Sequence, residues 1–352
     1  MSTDFAPRTA YINKISTVVP EHDVHEDFVA YADSTFDLRR KQLLFRRMAD
    51  RAQISHRWSS FPSLADFYGD DPNSVDTATR MREFERTAPD LAVRAVDGLD
   101  LGDAASDITH LIVLTCTGFV TPGIDFEIMA RCGVPTTVER TQVGFMGCFA
   151  GINGLKLAHH IVRSEPAARV LVVSVELCSL HMQKTDDLET MLSFLVFGDG
   201  AAAVLVTAEE SGLAMDSFQA LMIEDSRELI TWRIGGVGFD MKLSGKVPGS
   251  LARALDADTM KIVLSGAETS SIDMWAVHPG GRSILDAVEG ALELGPEDLS
   301  ASRKVLDNYG NMSSATVLFV LAEMMDRGDT GSGCAMAFGP GLTAETMLFH
   351  AS

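Results

Sequence analysis

The stretch Gln142-Val-Gly-Phe-Met-Gly-Cys148-Phe-Ala-Gly-Ile-Asn-Gly-Leu-Lys-Leu-Ala158 carries an extended segment into a small-residue turn and then into a helix. Residues 136–143 read as extended, and apolar residues at 152, 155, 157, 158, 161 and 162 follow helical spacing. Cys148 therefore stands where a buried helix begins. Unpaired backbone N–H groups and the positive end of the helix dipole meet there, and both favour a thiolate over a thiol. Gly144, Gly147 and Gly151 leave room around the sulfur and permit a tight turn. Taken alone, a cysteine in such a turn is more often a packed core residue. Residues farther along the chain decide between the two readings.

The 352 residues suffice for two core-sized units or one double-core superdomain. With 46% hydrophobic and 22% charged residues the chain reads as an ordinary globular protein. It shows no run of 18 apolar residues, no charged-then-apolar leader and no lipidation signal, so neither secretion nor a membrane partner is expected and the cytoplasm is the expected compartment. Lys plus Arg 29 against Asp plus Glu 49 gives −20, which argues against nucleic-acid binding. A polyanionic small molecule would need a local basic patch. The five cysteines are odd in number and lack a CxxC pair, and the nine histidines lack HExxH spacing, so neither a disulfide framework nor a metal site is expected.

In chain order, 10–18 reads as a strand and 36–52 as a helix with Arg39, Arg40, Arg46, Arg47 and Arg51, the densest basic cluster in an acidic chain. Residues 60–74 read as loop from their Pro, Gly, Ser and Asp content, and 75–99 as a long helix. From 108 onward, apolar runs of strand length at 110–116, 169–176 and 201–207 alternate with helices, which implies a sheet covered on both faces. In the second half, 272–277 reads as a strand delivering His278-Pro-Gly-Gly281 onto a helix over 283–294. Gly310-Asn311-Met-Ser313-Ser314 opens a helix over 313–326, and 334–338 and 343–350 close the sheet. Both halves place a reactive side chain at a strand-to-helix turn, which suggests two duplicated α/β/α units, 1–208 and 209–352.

A thiolate nucleophile needs a partner that keeps it charged, and His278, between a buried strand and Pro279, is the candidate. Asn311 reads by itself as a helix cap. Together, Cys148, His278 and Asn311 occupy three strand-to-helix junctions, the convergence an active site needs. A papain-like protease also orders Cys, His and Asn this way, but its Cys-Gly-Ser-Cys-Trp signature is absent.

Gly147-Cys148-Phe-Ala-Gly151, Leu195-Val-Phe197-Gly-Asp-Gly-Ala-Ala202, Val277-His278-Pro-Gly-Gly281, Tyr309-Gly-Asn311-Met-Ser-Ser-Ala315 and Phe338-Gly-Pro-Gly-Leu-Thr-Ala-Glu345 together resemble the type III polyketide synthases, the chalcone and stilbene synthase family, over about residues 10–350. The resemblance implies a thiolase-like α/β fold in five layers, α-β-α-β-α, a homodimer, and CoA thioesters as substrates with no other cofactor. It implies that Cys148 carries the acyl chain from a starter acyl-CoA. His278 and Asn311 would then stabilise the enolate of decarboxylating malonyl-CoA.

The same resemblance makes Phe197 a gate between CoA tunnel and cavity, sets Cys116, Thr117, Cys178, Trp232, Met241 and Ser313 on the substrate pocket, and gives CoA phosphates to Arg47, Arg51 and, beside a third such position, Arg282. Met241 stands where plant members carry a second gate phenylalanine, and Cys116 and Cys178 replace two pocket threonines. Thr121 replaces a methionine that crosses the dimer, Trp232 a glycine that sets cavity depth, and Ala337 the first glycine of a Gly-Phe-Gly-Pro-Gly loop. These departures are nearer to bacterial members and point to an aliphatic starter and an α-pyrone or resorcinol/phloroglucinol-type product. The rival readings are a ketoacyl carrier-protein synthase of the third type, performing one condensation, and a non-catalytic acyl-CoA-binding scaffold.

Overall fold

The computed structural model of the chain describes residues 9–352. The expectation of no leader falls in part on residues 1–8, outside the described residues. From edge to edge, a nine-stranded sheet runs Met274–Val277, Gly331–Gly339, Thr343–Ala351, Leu213–Met222, Ala10–Val18, Asp199–Thr207, Val170–Leu177, His110–Thr115, Glu139–Gly144. His110–Thr115 pairs in parallel with both its neighbours, and Met274–Val277 pairs in parallel with Gly331–Gly339. The two groups of strands join through one short antiparallel register, Ala10 to Met215, Tyr11 to Ala214 and Ile12 to Leu213.

Alternation along the strands fixes the layers, because successive side chains point to opposite faces. In Val170–Leu177, residues Leu171, Val173 and Val175 enter one apolar core while Val170 and Val172 enter another. Asp199–Thr207 divides the same way, Ala201 and Ala203 against Ala202 and Val204. On the other side, Cys334, Met336 and Phe338 face a third core while Ala335 and Ala337 face the second. Three cores separated by two stretches of sheet make five layers. The helix Thr77–Asp97 covers the first core through Phe84 and Leu91, and Ala150–Ser164 and Thr316–Arg327 fill the middle through Ile152, Leu155 and Leu318. Arg282–Leu292 and Val247–Ala254 cover the third through Leu285 and Leu251. This is the α-β-α-β-α arrangement that the family resemblance implied, with the unalternated strands covered on both faces as expected.

Three local readings need correction. Residues 60–74 hold a helix, Leu64–Tyr68, whose first turn is capped by Ser63 accepting from the Asp66 N–H, and a 3₁₀ turn at Pro72–Ser74. The α-helix expected from Ser313 starts at Thr316, after a 3₁₀ turn at Ser313–Ala315. A β-hairpin, Ile230–Gly235 with Gly238–Leu243, occupies a stretch for which no element was assigned from the sequence.

That hairpin is bonded to the body through Thr77 and His181 and rests on Arg80, which is fully buried in the helix Thr77–Asp97 and joins the segments beneath it. Its guanidinium donates to the carbonyls of Val75 (2.9 Å), Leu180 (2.7 Å), Met182 (2.7 Å) and Pro72 (2.8 Å), and a Cβ at Gly238 would lie 2.9 Å from Nη1. Replacing it strands several buried carbonyls. Arg80→Leu should cost at least ~3 kcal/mol of stability in urea unfolding, and a loss below about 1 kcal/mol would contradict this role.

Candidate active site

Cys148 is positioned by a chain reversal that ordinary residues resist. The strand Glu139–Gly144 ends, Phe145 and Gly147 take positive φ (60° and 90°), and the helix opens at Ala150. A Cβ at Gly147 would stand 2.2 Å from Pro340 Cδ, so only glycine fits between the nucleophile turn and the Phe338-Gly-Pro loop. Cys148 lies buried just before the helix's N-cap, Phe149. Burial pushes its thiol up to about 12; the Ser313 side chain opposes this, the Glu176 carboxylate adds to it, and the Asn311 side chain opposes it. The helix start alone therefore does not make Cys148 a thiolate, contrary to the expectation from sequence.

His278 follows the buried strand Met274–Val277 and donates its backbone N–H to Met336 O at 2.7 Å. Its ring is 1% exposed, neither ring nitrogen has a hydrogen-bond partner among the described residues, and burial pushes its pKa down to about 3. Asn311 is fixed by its backbone, N–H to Val196 O at 2.7 Å and C=O from Gly198 N–H at 3.0 Å. Its side-chain orientation follows from Oδ1 accepting the Ser313 N–H at 2.9 Å, which leaves Nδ2 only a 3.5 Å approach to Gly280 O. A Cβ at that same Gly280 would lie 3.8 Å from His278 Nε2. Asn311 follows the helix Ser300–Tyr309, not a strand as its expected strand-to-helix junction required; its side chain and that of Ser313 bear on Cys148, and Gly280 lies between Asn311 and His278.

Eight of the expected residues line one narrow cavity of about 30 Å³: Cys116, Thr117, Cys148, Cys178, Phe197, Trp232, Met241 and Ser313. Phe194, Ile230 and His181 complete its wall and were not expected. His181 is a clamp. Its Nε2 lies 2.7 Å from Thr117 O, its Nδ1 accepts the Phe239 N–H at 3.1 Å, and its ring stacks on Phe239 at 4.1 Å and meets the edge of Trp232 at 5.3 Å. Burial pushes its pKa down to about 3, so it is the neutral Nε2–H tautomer. Trp232 Nε1 also donates to Cys116 O at 2.8 Å, seating the hairpin against the cavity. No metal-ligand spacing would reveal His181; its signal is its place just after the buried strand Val170–Leu177.

A second, wider space of about 530 Å³ adjoins the helix Leu188–Val196 and is lined by Met48, Arg51, Leu195, Val196, Gly280, Gly281 and Arg282 among others. Arg51 and Arg282 are therefore on one channel, with Arg282 Nη1 donating to Arg51 O at 3.1 Å and Nε pairing with Asp286 at 3.2 Å. Arg47 does not line it; it stands exposed one turn earlier on the helix Arg39–Arg51.

Residues 12–210 match the family model for chalcone and stilbene synthases, N-terminal domain, and residues 214–352 the one for the C-terminal domain. The chain belongs to the chalcone and stilbene synthase family. It is 35% identical over 324 residues to bisdemethoxycurcumin synthase of Oryza sativa, covering 86% of this chain and 80% of the relative. It is 34% identical over 286 residues to the alpha-pyrone synthesis polyketide synthase-like Pks18 of Mycobacterium tuberculosis, covering 77% and 72%. The crystal structure of PKS-I from the brown alga Ectocarpus siliculosus superposes with a TM-score of 0.88 at 27% identity, covering 99% of this chain and 100% of that one. The chain is thus an acyl-transferring enzyme of the type III polyketide synthases, and its fold is the thiolase-like one of that family.

Burial opposes a lone thiolate and a lone imidazolium alike, so His278 can activate Cys148 only by taking the thiol proton as the sulfur attacks. Alkylation by iodoacetamide reads this directly. In His278→Ala the rate at pH 7 should fall by roughly a hundredfold and climb with pH into the alkaline range. Equal rates in variant and wild type would show that His278 does not activate Cys148.

Proposed function

We propose that this enzyme extends an aliphatic acyl-CoA starter by iterative decarboxylative condensation with malonyl-CoA and releases an α-pyrone. The reading is carried by Asn311 and Ser313 bearing on Cys148 beside an apolar cavity, with Gly280 between Asn311 and His278. The Cys148 thiol gives its proton to His278 and attacks the starter carbonyl; the CoA thiolate leaves and takes that proton. Malonyl-CoA then binds with its thioester oxygen toward His278 and the free Asn311 Nδ2–H. Loss of carbon dioxide leaves an enolate whose negative oxygen these two donors stabilise. The enolate carbon attacks the acyl-cysteine and expels the Cys148 thiolate, and the longer chain, now on CoA, returns to Cys148.

Trp232, Phe194, Ile230 and Met241 give the cavity an apolar wall that suits an alkyl tail, and the Pks18 relative is itself named for α-pyrone synthesis. Arg51 and Arg282 on the channel, with Arg47 beside its mouth, supply cations for CoA phosphates in a chain of net charge −20. All five cysteines are unpaired, in keeping with a cytoplasmic enzyme. We assign the chain two units, 1–208 and 209–352. A homodimer is supported by the edge strand Glu139–Gly144, unpaired on its outer side, and by Phe119, Phe126 and Met146, exposed at 41%, 45% and 42% in the segments flanking it. Sedimentation equilibrium should give twice the chain mass, and a single-chain mass would refute the dimer.

Purified enzyme incubated with malonyl-CoA and acyl-CoA starters from acetyl to long-chain and aromatic should yield, by liquid chromatography with mass detection, products rising by successive ketide units, best with alkyl starters and absent in Cys148→Ala. Asn311→Ala should lose roughly a hundredfold in malonyl-CoA decarboxylation while still loading the starter. Products stopping at one condensation, or requiring a carrier protein, would favour the ketoacyl synthase.

A further inference from the structure

The helix Arg39–Arg51 is needed inside the protein only along one stripe, through Phe45 and Ala49. Its remaining surface is unusual. Leu38, Leu43, Leu44 and Met48 are exposed at 61%, 53%, 43% and 40%, four of the ten exposed large apolar side chains among the described residues, gathered in eleven positions. At 100° per residue, Leu43 and Leu44 flank Arg40 and Arg47 on the side opposite Phe45. The ion pairs of this helix are Lys41 with Asp186 and Arg46 with Asp33, which leaves Arg39, Arg40, Arg47 and Arg51 without a carboxylate partner among the described residues. Met48 and Arg51 stand at the same time on the wall of the CoA channel.

CoA accounts for cations here, but not for aliphatic side chains turned to water. Its nucleotide end is polar and gains nothing from Leu38, Leu43 or Leu44, none of which lines the channel. Alternating leucine and unpaired arginine is the pattern that settles into the boundary between lipid head groups and acyl chains, the leucines entering and the guanidiniums reaching up to phosphates. Such a surface attracts basic residues even on an acidic protein, because charges more than about 8 Å from the contact are screened at physiological salt.

We propose that the ridge from Leu38 to Arg51 docks the enzyme on an anionic lipid surface, with the mouth of the CoA channel beside the bilayer. Resting on the reading above, this sets the channel where an amphiphilic long-chain acyl-CoA partitions, so that starter enters from the membrane side. The docking is peripheral: no helix among the described residues is long and apolar enough to cross a membrane.

The test is co-sedimentation of the full chain with vesicles of phosphatidylglycerol and phosphatidylcholine, against phosphatidylcholine alone, for wild type and for Arg40→Glu/Leu43→Ser/Leu44→Ser. None of these three residues lines the cavity or the channel, so product formation from soluble short-chain acyl-CoA should be unchanged in the variant. Wild type should bind the anionic vesicles at least tenfold better than the neutral ones, weaken in high salt, and lose this preference in the variant. Binding equal on both vesicles, or undiminished in the variant, would overturn the proposal. So would a fall in the variant's sedimenting mass without lipid, since that would mean a second copy covers the ridge. Selective retention on an immobilised acidic acyl carrier protein with no vesicle binding would reassign the ridge to a protein partner. Vesicle binding in a preparation that makes no polyketide would leave the docking intact and refute only the catalytic reading.

Discussion

The site depends on a single buried carboxylate, Glu176, at the end of Val170–Leu177. It is fully buried and accepts hydrogen bonds from Cys116 N–H (2.9 Å), from Thr117 Oγ1 (2.8 Å) and from Ser314 Oγ. Burial raises its pKa, and those hydrogen bonds, that from Ser314 first, hold the rise in check. Through them one side chain ties together the ends of two strands in one group and the Ser313–Ala315 turn that follows Asn311 in the other. The two groups of strands share only a three-residue register, so besides the middle core and the Asn311 bonds to Val196 and Gly198, their placement at Cys148 draws on this knot and on the close approach of Gly151 to Ser314, where a Cβ would lie 2.5 Å from the carbonyl. A buried acceptor left without donors is costly, which makes the arrangement nearly all-or-none.

The same burial explains the electrostatics. A dry pocket disfavours a free thiolate and a free imidazolium, and neither Cys148 nor His278 is charged in isolation at neutral pH. The proposed mechanism avoids both charges through a net-neutral proton exchange between them, with Ser313 and Asn311 on the sulfur side. In that proposed role the single N–H of the neutral His278 ring and the half-used amide of Asn311 are the donors for an oxygen that becomes negative only during reaction. Preorganised donors of this kind need no rearrangement when the charge appears.

Much of this was legible in the sequence because burial on both faces writes itself as unalternated apolar runs. Val170–Leu177 and His110–Thr115 could hardly be anything but central strands, and glycines around Cys148, His278 and Asn311 marked the turns. The hairpin Ile230–Leu243 was not legible: it packs on the body along one face only, carries Arg233, Asp240 and Lys242, and lacks the apolar run of a core strand. His181 and Glu176 were missed for a related reason. Their roles come from partners at sequence distances of about 60, Thr117 and Phe239 for the one, Cys116 and Thr117 for the other, and no local spacing encodes those contacts. The short helix Leu64–Tyr68 did carry a signal, the Ser63 cap, hidden within a run of loop-forming residues.

The central claim is that the turns carrying Cys148, His278 and Asn311 build one acyl-transfer centre on Cys148. Its most direct test is the intact mass of the enzyme after brief exposure to a medium-chain acyl-CoA without malonyl-CoA, followed by proteolysis to find the adduct. The account predicts one acyl group per chain, on Cys148, formed in wild type and in Asn311→Ala and strongly slowed in His278→Ala. An acyl group on Cys116 or Cys178 instead, or equal labelling with and without His278, would contradict it.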